Sequence, residues 1–228
     1  MWPGEIVAAA LRKELDMIAI CDHNSAENVA AVMEASAATG LTVLPGLEIT
    51  SKEEVHILGL FDHPEHTAGM QELVYEHLAG ENNAAAFGSQ VVVESDGTMR
   101  GYNHRLLIGA TSLSLEQIIR AIHDHRGLAI AAHIDREGFG ILGQMGFIPT
   151  GLRLDALEIS SNVSLEDARA AFPDYGDYPF LQSSDAHTPD AIGTGMTPLR
   201  MEAATFDELA LALWGESDRG VSYRTEGC

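Results

Sequence analysis

The sequence predicts an α/β fold built on a mostly parallel sheet, and three observations carry that prediction. Short apolar runs of strand length alternate with amphipathic segments of helical period along the whole chain. The runs are nearly continuous in apolar residues, as strands are when both faces of the sheet are covered. The polar residues that interrupt them cluster at their ends. A helix-covered open sheet and a closed barrel both satisfy this pattern.

The elements follow in order. "PGEIVAAALRKEL" places Pro near a first helical turn and keeps its apolar residues on one face. "LDMIAIC" is a strand, and "NSAENVAAVMEASAATG" is a helix with Asn24 or Ser25 as N-cap and Gly40 as its stop. "LTVLPGLEIT" and "VHILGLF" are the next two strands. Only seven residues separate Glu48 from His56, too few for a parallel crossover, so this pair is expected to be a hairpin. "SLEQIIRAIHDHRG" is a helix opened by a Ser114/Gln117 capping box and closed by Gly127. "LAIAAHI", "LDALEIS" and "PFLQSSDAH" are three more buried strands, with the helix "SLEDARAAF" between the last two. "TFDELALALWG" is a final helix with Thr205 and Glu208 as its capping pair.

No repeat or Pro/Ser-rich linker divides the 228 residues, so one domain over 1–228 is expected. The stretch around 88–104 departs from the main layers as a β-hairpin turning at Asp96-Gly97. No apolar run approaches the roughly 18 residues a membrane span requires. No signal-peptide pattern is present, and the two cysteines, Cys21 and Cys228, form no disulfide framework; both fit a cytoplasmic protein. The net charge of −21, from 34 acids and 13 bases, argues against long nucleic acid as a partner. An acidic surface serves solubility, and carboxylates around bound cations also contribute to such a sum.

The strand ends carry the chemistry. The first ends on Asp22-His23, the second bears Glu48, the fourth ends on His133 and Asp135, the fifth bears Glu158, and the last ends on Asp185 and His187. In parallel α/β folds the carboxyl ends of strands form the active-site face. Imidazole and carboxylate arriving there repeatedly suit zinc, manganese or iron. The hairpin brings His56, at a strand start, to the same rim as Glu48. In an extended segment Asp185 and His187 point the same way and can reach one cation. Asp22 orients His23 if it is not itself a ligand. Glu158 reads as a supporting residue. Arg136 is a candidate phosphate clamp, with an ion pair to Asp135 or Asp155 as the competing role. His63, His66, His77 and His104 read as loop or surface residues, His123 and His125 as favourable charges at a helix C-terminus. "REGFGILGQMGFIP" reads as a mobile rim, since it matches no phosphate-loop pattern.

Together "IAICDHNSAENV", "LPGLEIT…VHILGLF", "AIAAHIDR" and "SSDAH" resemble the PHP (polymerase and histidinol phosphatase) family of metal-dependent phosphoesterases, from about residue 3 to 200. The resemblance implies a distorted (β/α)7 TIM-like barrel with two or three divalent metal ions. It implies His23, Glu48, His56, His133, Asp185 and His187 as ligands, Glu48 as a bridge, and a small phosphorylated substrate such as a phosphomonoester, nucleotide or short oligonucleotide. Asp185 or His187 is then the candidate acid for the leaving oxygen, with Arg136 on the phosphate. Family members open with a strand bearing an H-x-H pair, whereas this sequence begins at the helix that follows it. With the other ligands intact, that strand is expected upstream of Met1. A non-catalytic metal-binding protein and a metal-dependent amidohydrolase are the alternative readings.

Overall fold

The computed structural model describes residues 1–223; Cys228 lies outside them. Helix α1 (Pro3–Arg12) leads into β1 (Met17–Ile20), α2 (Val29–Ser36), β2 (Thr42–Thr50) and β3 (His56–Leu60). Then come α3 (Pro64–His77), α4 (Ala84–Phe87), β4 (Val91–Val93), β5 (Met99–Tyr102) and α5 (Leu115–Asp124). The chain continues through β6 (Leu128–Ala131), α6 (Ile141–Met145), β7 (Ala156–Ile159), α7 (Leu165–Ala171) and β8 (Phe180–Gln182). It closes with β9 (Leu199–Arg200), α8 (Phe206–Trp214) and β10 (Gly220–Val221).

The architecture is mixed α/β. Six strands form one curled half-barrel sheet in the order β1-β2-β3-β6-β7-β8. β1 pairs parallel with β2, and β6, β7 and β8 are mutually parallel, while β3 runs antiparallel to both β2 and β6. The expected hairpin is therefore present, with Thr50 opposite His56. β4 and β5 form a separate antiparallel ribbon turning through Asp96-Gly97. Among the described residues no helix is long and apolar enough to cross a membrane.

Strand alternation sorts the side chains. Leu47, Ile49, Ile57, Ala129 and Ala131 face the layer of α3 and α5, built around buried Met70, Val74, Ile118 and Ile122. Leu44, Leu60, Leu128, Ile130, Ala156 and Leu181 face the opposite way and pack with Leu209, Ala210 and Leu213 of α8. Counting by two along the same face, Leu44 leads to Glu48, Leu60 to His56 and Ala156 to Glu158. One face of the sheet is thus apolar where α8 covers it and polar at the other end.

Three local readings are corrected. Asn24 and Ser25 do not cap α2, which starts at Val29 after Asn28. His63-Pro-Glu-His66 is not a loop, because Pro64 opens α3 and its fixed φ suits a first helical turn. The last sheet strand ends at Gln182, so Asp185 and His187 lie beyond it, and Asp185 has φ 45° rather than an extended backbone.

Candidate metal centre

The polar end of the sheet is organised around Glu48, which is 5% exposed. The β1–β2 register reappears three residues beyond Ile20 as a parallel bridge between His23 and Glu48, the latter still within β2. The Glu48 N–H donates to Asp22 O at 3.1 Å, and the Asn24 N–H donates to Glu48 O at 2.7 Å. His23 is thereby set beside Glu48, with His23 Nδ1 2.9 Å from Glu48 Oε2. The hairpin brings His56 Nδ1 to 2.9 Å from Glu48 Oε1. His133 follows β6 and places Nε2 3.4 Å from the same oxygen. Its own N–H donates to Glu158 Oε2 at 3.1 Å, so Glu158 fixes the turn that presents the ring.

One carboxylate is ringed by three imidazoles, and the donor atoms of His23, Glu48 and His56 all lie within 4.8 Å of one another. The spacings of 2.9 to 3.4 Å approach those of ligands sharing one cation, roughly 3 to 3.4 Å for bonds of about 2.0–2.1 Å. His23 Nδ1 is buried and close to Glu48, yet it makes no hydrogen bond, and His133 Nδ1 has no partner among the described residues. Buried polar atoms in native proteins are almost always satisfied, so the unpartnered His23 Nδ1 beside a buried carboxylate fits a site for a cation; on His133 the unpartnered nitrogen is not the Nε2 that approaches Glu48.

Charge follows geometry. Burial would raise the Glu48 carboxyl, but His133, His23 and His56 outweigh it and hold it well below the usual carboxylate range. The adjoining Glu48 raises His23 against the opposing effect of its burial. Burial pushes Glu158 up, despite hydrogen bonds from the Ser183 side chain and the His133 backbone.

Backbone strain gathers at the same rim. Asn24 (φ 50°), His133 (φ 29°), Phe139 (φ 60°) and Asp185 (φ 45°) all occupy positive φ without being glycine. Asn24 is fully buried; its amide donates to Leu107 O and Gly109 O, both at 2.8 Å, and its oxygen accepts from the Thr50 N–H. The residue after His23 thus clasps the end of the 80–112 excursion.

The structure does not gather every candidate equally. His23, Glu48, His56 and His133 converge. Asp185 turns its Oδ2 to Arg136 Nη1 at 2.6 Å, so Arg136 pairs with Asp185 and with neither Asp135 nor Asp155. Asp135 accepts instead from the backbone and hydroxyl of Ser160. The His187 side chain is 70% exposed, its ring centre 6.2 Å from that of His23. Asp22 is exposed, and Asn28 Nδ2 donates to it at 3.4 Å. Phe139 was not singled out by sequence reasoning; it sits within the glycine-rich rim, and nothing in that run marks its ring. Its ring stacks on His56.

No family model matches the chain. Among solved structures, the lesion-specific endonuclease Q of Pyrococcus furiosus superposes with a TM-score of 0.75 at 19% identity, covering 97% of this chain and 53% of that one. A proposed metal-dependent phosphoesterase from Bifidobacterium adolescentis superposes with a TM-score of 0.59 at 18% identity, covering 95% and 92%. The chain shares its fold with these structures, and that fold is PHP-like. A 5'-3' exoribonuclease of Haemophilus influenzae is 28% identical over 142 residues, 60% of this chain and 48% of its own length. The chain spans only 29% and 48% of the lengths of the curated relatives it matches.

Proposed function

We propose that the chain hydrolyses phosphate esters with divalent metal ions held by His23, Glu48, His56 and His133. The buried Glu48 carboxylate, ringed by three imidazoles and faced by the unpartnered Nδ1 of His23, is the observation that supports this reading. Imidazole and carboxylate suit zinc, manganese or iron, and two or three ions are part of the reading, with Asp22, Asp185 and His187 completing the set. A bound cation supplies Lewis acidity, lowering the pKa of water and neutralising charge on phosphoryl oxygens.

The chain's own residues do the rest. Arg136, 40% exposed in its side chain, presents a guanidinium suited to phosphate oxygens, which compete with Asp185 for it. Whichever of His187 and Asp185 is protonated and not ligating metal would donate the proton to the leaving oxygen. The substrate is a phosphomonoester, a nucleotide or a short oligonucleotide. The exoribonuclease and the lesion-specific endonuclease both act on nucleic acid by their names, so the acidic charge is no argument against a nucleic acid end. A seven-stranded barrel belongs to the same reading, since β1 and β8 each keep one unpaired edge among the described residues.

The test is turnover of p-nitrophenyl phosphate, bis-p-nitrophenyl phosphate and 5′-phosphorylated oligoribonucleotides by manganese- or zinc-loaded protein. Hydrolysis abolished by chelation and by Glu48→Gln supports the proposal. Stoichiometric metal binding with no turnover of any of the three sinks it. That result would favour a second reading, a metal-binding protein without catalysis, which the engagement of Asp185 by Arg136 supports.

A further inference from the structure

A second cavity, of about 330 Å³, lies at the end of the sheet opposite the Glu48 cluster, where β6 and β7 begin and α8 crosses them. Its lining includes His123, Arg126, Arg153, Asp155, Phe206 and Trp214. Asp155 organises it. Its Oδ2 accepts from the Ala129 N–H at 2.8 Å and lies 2.9 Å from His123 Nε2, while its Oδ1 accepts from the indole N–H of Trp214 at 3.2 Å. The one carboxylate of the cavity is therefore fully engaged within its wall.

The two guanidiniums are not. Neither Arg126 nor Arg153 forms an ion pair or side-chain hydrogen bond among the described residues, in a chain with 34 acids and 13 bases. Arg126 also sits at φ 61°, just past α5, at a position glycine ordinarily takes. The glycine of that turn stands at 127, where a Cβ would meet Phe61 at 2.6 Å and Leu60 O at 2.8 Å. A helix C-terminus favours a cation, which accounts for one basic residue but not for Arg153 in the loop before β7. Trp214 adds an aromatic plane, pinned by its N–H yet 54% exposed, with half-buried Phe206 beside it.

A fixed, open indole beside two unpaired guanidiniums matches a planar aromatic ring carrying phosphate. The volume is within the range of small-molecule sites, roughly 300–1,000 Å³. We propose that this cavity is a binding site for a nucleoside monophosphate, separate from the Glu48 centre, with the base on Trp214 and the phosphate held by Arg126 and Arg153.

Trp214 supplies its own readout. The chain has two tryptophans, so a Trp2→Phe protein reports from Trp214 alone. With chelator present, and Glu48→Gln to disable the other centre, adenosine 5′-monophosphate is expected to quench the indole saturably below millimolar concentration. Arg126→Gly and Arg153→Gln should each weaken that binding about tenfold or more. Arg126→Gly also serves as a folding control, because glycine adopts φ 61° without strain. Adenosine and inorganic phosphate, each alone, should bind much more weakly. No saturable quench, inorganic phosphate binding as tightly as the nucleotide, or two well-folded arginine variants with unchanged affinity would each overturn the site.

Discussion

The ring of Phe139 lies over the imidazole of His56, centroids 4.5 Å apart and planes 15° from parallel, and the Phe139 carbonyl accepts the His56 N–H at 2.9 Å. A bulky residue at φ 60° is strained, and here the strained residue holds a candidate ligand on two sides. Phe139→Gly removes the ring and the strain together. Stability should hold, while affinity for zinc or manganese falls about 10-fold or more, as for outer partners of metal-bound histidine. Calorimetric metal titration beside a thermal melt separates the two effects. Unchanged affinity would make the stacking incidental.

Glu48→Gln keeps the shape of the side chain and removes its charge. Glu48 is the foremost cause of the raised His23 pKa, so the imidazole of His23 should titrate lower in the variant. Metal affinity should drop by about two orders of magnitude or more, because the one carboxylate shared by the three histidines is lost. Proton NMR of the imidazoles checks the first effect without any metal.

Metal removal should depend on pH with a definite sign. In metal-free protein the raised His23 contributes stability fully below its ordinary 6.5, and that contribution fades as pH rises through the folded value. The lowered Glu48 contributes fully above its ordinary 4.5 and fades as pH falls through its folded value. The cluster therefore stabilises metal-free protein most between these two values. Metal needs deprotonated imidazoles, so the stability lost on adding chelator should grow from pH 6 to pH 8. Urea melts with and without chelator measure this; a loss independent of pH would contradict it.

Asn24 satisfies two carbonyls and one N–H from two separate segments. Asn24→Ala leaves them unpaired in the interior and should destabilise the protein by about 2–4 kcal/mol. Hydrogen exchange should rise first at the Thr50 N–H, which loses its acceptor, and at the 107–109 amides, whose loop is released. Uniform exchange across the protein would argue against a local clasp.

Gly140 sits in the rim that follows His133, just before α6. A Cβ there would stand 2.5 Å from Arg136 O and 2.8 Å from His133 O, both backbone atoms that cannot rotate away. Gly140→Ala should cost about 1–3 kcal/mol by crowding and displace Arg136 and Phe139. The proposed phosphoesterase activity should fall more steeply than stability; a parallel fall would mean the rim is not part of the site.

The order of residues by itself determined the strand and helix alternation, the β2–β3 hairpin, the β4–β5 ribbon and the strand ends that carry Glu48, His56 and His133. These are local properties: apolar periodicity, loop length and turn chemistry act over neighbouring residues. α3 was missed because its apolar residues are sparse and its histidine-rich start resembles a loop. Only the tertiary structure decided which candidates meet. Glu48 gathers His23, His56 and His133 through strand register, whereas Asp185 turns away to Arg136 and His187 faces solvent. An extended Asp-x-His would point both side chains one way, but φ 45° at Asp185 breaks that geometry. The stacking of Phe139 on His56 and the clasp of Asn24 on Leu107 and Gly109 also join residues 83 to 85 apart in sequence. Such contacts depend on how the chain closes on itself, and no periodicity along a strand or helix encodes them.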